Sequence, residues 1–182
     1  MKRAIVTPAV LPPSALAELK QWLGITTAHD DALLIDLLRA ALETCEAFTG
    51  AIPLEATCEE TWAASGAWRT LSARPVHSIA GIDALAVSGL RTPLASDAYE
   101  LELDPGGTGL FRIARSISTS RVVVRFTAGL ASDWDALPDA LRHGIMRLAA
   151  HQHREREDAG ASPLPPASVA ALWRPWRRMR LT

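Results

Sequence analysis

The sequence predicts an α+β fold that is mainly helical. It has an N-terminal helical hairpin, a long C-terminal helix, a small antiparallel β region inserted between them and an extended C-terminal docking tail. Three observations predict it. Apolar residues recur at helical spacing over about 14–23, 31–49 and 138–158. The period shifts to short alternating runs over about 57–128. A Pro-rich joint, "GASPLPP", then divides a body, 1–160, from a hinged end segment, 161–182.

The first helix is written in "SALAELKQWLG". Ser14 is placed to cap it, Leu16, Leu19 and Leu23 share a face, and Gly24 closes it. The second, "DDALLIDLLRAALETCEAFTG", starts at Asp30 and Asp31 and ends at Gly50, with Leu34, Leu37, Leu38, Ala41, Cys45 and Phe48 in one stripe. Its 19 residues make a rod of about 28 Å. "TCEETWA", "WRTLS" and "HSIAGIDAL" read as short strands, and "YELELDPGGTGLFRIA" as a hairpin around a Pro/Gly loop. "RVVVRFTAG" is the strongest strand signal. From Pro138 the helical period returns, with Leu141, Ile145, Leu148 and Gln152 on one face and Met146 and Ala149 beside it. "ASVAALW" adds two turns that stop near Pro175.

At 182 residues, 48% apolar and 21% charged, the chain can bury one core and carry an appendage. The net charge of −1 is unevenly laid out: residues 1–60 hold nine acids against four bases, while 166–182 hold four arginines and no acid. That layout is not the dominant positive charge of a dedicated DNA binder. Cys45 and Cys58 have no metal-type spacing, and Cys45 lies on the apolar side of a helix, which suits a buried free thiol. No run approaches a membrane span, and "MKRAIVTPAVLPPS" is too short and Pro-broken in its apolar part for a signal peptide, so synthesis in the cytoplasm is expected.

Little in the chain points to catalysis, a metal or a cofactor. His151 and His153 form "HQH", but on a helix residues two apart are rotated by about 200° and point to opposite sides. His143 and His151 stand about 12 Å apart along the axis, too far to share an ion. "DPGGTG" is followed by a strand and has no nearby lysine, so it reads as a hairpin turn and not a phosphate loop. Ser65 lacks the glycine-flanked setting of a strained nucleophile. The paired acids suit caps and wet faces.

Two features suit binding. His143, Arg147, His151 and Arg154 recur at intervals of four, four and three and share one side of the third helix, either as a solvated stripe or as a face toward a subunit or a DNA channel. The closing "VAALWRPWRRMRLT" gathers Leu172, Trp173, Arg174, Trp176, Arg177, Arg178 and Arg180. Trp and Arg are the residue types most enriched at binding hot spots. Pro175 leaves the segment too short for a membrane-lying or groove-filling helix, so partner docking is one reading; the other has Leu172 and Trp173 fold back on their own core.

In sequence order the chain resembles the head–tail connector (adaptor, or head-completion) proteins of tailed phages, including those of gene transfer particles. The segments that carry the resemblance are "PPSALAELKQWLGITTAHDDALLIDLLRAALETCEAFTG", "RVVVRFTAGL", "WDALPDALRHGIMRLAAHQHREREDAG" and "VAALWRPWRRMRL", with a looser match in the sheet region. The resemblance implies a mainly helical connector fold, no catalytic residues and no cofactor. It implies a ring of commonly twelve copies under the portal vertex, joining head to tail and extending the DNA channel. The partners implied are the chain itself, the portal protein, a tail-side connector or stopper protein, and double-stranded DNA contacted without sequence preference. It also implies a place in a virion or virion-like particle, with the C-terminal segment, Ala167–Leu181, reaching the portal. A small DNA-binding or regulatory module using the basic helix face and tail is the alternative, and a metal-dependent hydrolase using the histidines a third.

Overall fold

The computed structural model describes residues 2–155 and 165–177. The chain folds as two compact units, Met1–Ala9 with Glu55–Leu130, and Val10–Leu54 with Ala131–Thr182.

The first unit holds the strands, with one 3-10 turn at Ser96–Ala98: β1 (Lys2–Thr7), β2 (Ala56–Ala63), β3 (Arg69–Thr70), β4 (Val76–Leu85), β5 (Arg91–Pro93), β6 (Tyr99–Leu103), β7 (Gly109–Ile113) and β8 (Arg121–Ala128). They form a five-stranded sheet in the order β1-β2-β8-β4-β5 and a three-stranded sheet in the order β3-β7-β6, with every strand pair antiparallel. The central strand β8 carries Val122, Val123, Val124 and Phe126, all buried. β-branched side chains suit this position because their restricted rotamers fit the pleated surface. The two sheets meet through Trp62 and Phe111, whose rings lie edge-on with centroids 5.9 Å apart.

Two glutamates of β2 are buried beside this core. Glu60 accepts bonds from the Trp62 indole at 2.9 Å, from the Ser72 amide at 2.9 Å, from the Ser72 hydroxyl, and from the Ala73 amide at 3.3 Å. Glu59 accepts from Arg91 at 2.8 Å and from Arg125 at 3.0 Å. Burial pushes the Glu59 carboxyl up, but the two guanidiniums outweigh it and hold it below the ordinary value. A buried carboxylate without such partners would cost several kcal/mol, roughly 3–5 on removal of one partner.

The second unit holds α1 (Pro13–Leu23), α2 (Asp31–Thr49), α3 (Asp139–Glu155) and α4 (Ala167–Trp173), followed by a 3-10 turn, Arg174–Trp176. Helix α1 opens at Pro12, with Pro13 in its first turn and no side-chain cap, so Ser14 does not serve as the cap. Its fixed φ lets Pro start the helix at no cost in lost hydrogen bonds. Gly24 and Gly50 close α1 and α2 with φ of 74° and 75°. Lys20 bonds Asp31 at 2.6 Å and ties the two helices together. The core is Ala15, Leu19, Leu34, Leu38, Ala41, Cys45, Leu141, Ile145, Leu148 and Ala149, joined by Trp134, Val169 and Trp173.

The expectation of a mainly helical fold is wrong. The chain is α+β, but with eight strands in two antiparallel sheets against four α-helices among the described residues. The shortfall lies in β1 and β5. β1 is an edge strand exposed on both faces, so "KRAIVT" has no in–out alternation to read. β5 is three residues long and ends in Pro93, which no interior strand tolerates.

Candidate functional site

Helix α3 positions a row of basic residues on the helical unit. Its apolar side, Leu141, Gly144, Ile145, Leu148 and Ala149, is buried, and the 3.6-residue period turns His143, Arg147, His151 and Arg154 outward together. Arg147, His151 and Arg154 line one groove with Trp22, Pro166, Ser168 and Val169. His151 meets Glu155 at 2.9 Å, one turn along the helix.

A cleft of about 660 Å³ adjoins it, lined by Glu18, Gln21, Trp22, Asp139, Arg142, His143 and Met146. The Trp22 ring, 45% exposed, stands edge-on to His143 at 5.2 Å. Arg142 lies 3.4 Å from Asp139 and 3.8 Å from both Glu18 and Asp135, and Glu18 also accepts from the Trp134 indole at 3.3 Å. The cleft thus joins an exposed aromatic ring to paired charges. Among the described residues no three His, Cys, Asp or Glu side chains gather to hold a metal ion.

The end segment divides in two. Trp173 is fully buried: its indole donates to the Leu141 carbonyl at 3.3 Å, and its ring lies 6.0 Å from Phe48. Leu172 and Trp176 are half-buried, while Arg174 and Arg177 are exposed. The Arg177 guanidinium sits over the Phe48 ring, 5.4 Å from its centroid. Arg178 and Arg180 lie outside the described residues. Trp173 is therefore occupied by its own unit and is not free for a partner.

Sequence reasoning missed Trp22 as part of this surface. Its position, one residue before Leu23 and two before the closing Gly24, was the available signal. The "DPGGTG" segment is a β6–β7 turn, with the Thr108 amide bonded to Asp104 at 2.8 Å. That bond holds the Asp104 carboxyl below its ordinary value.

No protein-family model matches the sequence, and no curated protein does. Solved structures do. The chain is 28% identical to a chain in the neck of an empty gene transfer agent particle computed with C6 symmetry, with a TM-score of 0.80. Against a chain in the neck of the native particle, computed with C12 symmetry, it is 29% identical with a TM-score of 0.77. The virion of the native gene transfer agent particle gives 28% and 0.75. Each match covers 100% of this chain and 98% of the other. The chain is a structural relative of the gene transfer agent neck. The neck likeness spans both compact units, and it gives the connector resemblance carried by the sequence a matching three-dimensional fold.

Proposed function

We propose that the chain is a structural adaptor in the neck of a phage-like particle, where copies form a ring under the portal, join head to tail and continue the DNA channel. The observation that carries this reading is the whole-length likeness to neck chains at TM-scores of 0.75–0.80. The C6 and C12 symmetries of the related necks favour a ring of repeated copies, with twelve the number the reading adopts. Repetition lets contacts that are weak singly hold through avidity.

Within that reading, α4 is a bracket. Val169 and Trp173 fix it to its own unit, and Arg174, Trp176 and Arg177 are given to the portal contact in this reading. The face of His143, Arg147, His151 and Arg154 lines the channel or a subunit boundary. DNA contact there is to phosphates, without sequence preference, and falls steeply with salt.

The test is genetic and structural. Particles assembled without this chain should accumulate as filled heads and unattached tails, and supplying the full chain should restore joined particles. Joined particles forming at normal yield in its absence would refute the adaptor role.

A further inference from the structure

Two edge strands of the β unit leave apolar side chains exposed. In β6, "YELEL", the alternate residues Leu101 and Leu103 are 40% and 45% exposed. In β1, "KRAIVT", Ile5 and Val6 are 44% and 51% exposed. Each strand is the outer member of its sheet and leaves one row of backbone N–H and C=O groups without a strand neighbour. The two opposite edges are blunted: β5 has three residues and ends in Pro93, and β3 has two residues. β1 and β6 are not.

Their charges are opposite. β1 carries Lys2 and Arg3 and no acid; β6 carries Glu100 and Glu102 and no base. Arg112 reaches Glu100 at 2.6 Å, and Glu102 is exposed. Pairing β6 with β6 would set glutamates side by side, whereas β1 against β6 can place Lys2 on the face of Glu102 and Ile5 on the face of Leu101.

We infer that β1 of one copy adds to the free edge of β6 of the next copy, joining the five-stranded sheet of one to the three-stranded sheet of its neighbour. Main-chain hydrogen bonds supply affinity, and the Lys2 to Glu102 match supplies the choice of edge. The contact is head-to-tail, and such contacts close into a ring when the rotation between copies divides a full turn. The inference rests on the neck reading, which supplies the rotational repetition.

The test uses assembled particles carrying the full chain with Ile5→Cys and Leu101→Cys together, positions that share one face of the joined sheet, treated with a short bis-maleimide. Both native cysteines are fully buried, so the new thiols dominate the reaction. The expected result is a ladder of cross-linked multimers from the double variant and none from either single variant. Adding Lys2→Glu should cut the ladder several-fold, and adding Glu102→Lys to that should restore it. A neck whose density contains this chain but yields no ladder overturns the strand pairing and leaves the neck reading standing; a ladder indifferent to Lys2→Glu overturns the charge match. A neck without this chain in wild-type particles overturns both.

Discussion

The Trp173 indole lies directly on Gly144, so close that a Cβ added to the glycine would collide with the ring nitrogen and its neighbouring carbons. A glycine in the middle of α3 costs about 1 kcal/mol of helix propensity. Here the missing side chain opens a seat for the largest aromatic of α4. That seat makes the start of the C-terminal segment part of the helical core.

Gly144→Val should force Trp173 out and destabilise the protein by about 1–3 kcal/mol, the usual cost of overpacking. Trp173→Ala should cost about 3–5 kcal/mol by leaving a large cavity. Urea midpoints of the full chain check both. A Gly144→Val protein as stable as wild type would show that the indole does not occupy this seat. By the same reasoning, truncation at Pro166 removes Val169 and Trp173 from the core and damages the fold together with any docking.

Trp176 and Arg174 should behave oppositely. Trp176→Ala with Arg174→Glu alters half-buried and exposed groups, so stability should fall by less than about 1 kcal/mol. Incorporation into particles should drop sharply, measured as copies per head on quantitative gels. Normal incorporation would remove these residues from the portal contact.

The Glu59 carboxyl, held below its ordinary value of 4.5 by Arg91 and Arg125, gives the fold a defined acid sensitivity. The folded state favours the ionised form more than the unfolded chain does. The stabilisation is therefore complete above the unfolded value and is lost as pH falls through the lower folded one. Glu59→Gln should be less stable than wild type near pH 7, and the difference should shrink below about pH 4.5. Melting temperatures from pH 7 to pH 3 check it; a gap constant over that range would contradict the pairing.

Helix periodicity made most of the helical unit legible. α2 runs from Asp31 to Thr49 as its stripe and Gly50 predict, though Asp30 makes no side-chain cap bond, and α3 turns its four basic residues outward together. β2, β4, β6, β7 and β8 each fall on the run expected of them, because those runs carry β-branched or alternating residues. β1 was hidden because an edge strand exposed on both faces has no periodicity. Trp173 was ambiguous because a tryptophan beside arginines suits a core and a docking site equally. Only the space above Gly144, a tertiary fact, decides between them.

Burial pushes the Cys45 thiol up to about 12. Cys45 and Cys58 form no disulfide and are fully buried. Neither should react with a thiol reagent at pH 8 in the native state, and both should react once the chain is unfolded in guanidinium. Rapid labelling of the native protein would show that one of the cores opens readily.

The adaptor account is tested most directly by a symmetry-averaged electron cryomicroscopy map of particles bearing this chain. It predicts a rotationally repeated layer between head and tail, into which the β unit and the helical unit each fit as well-resolved density. A neck layer that neither unit fits, with the chain absent from the particles, would contradict it.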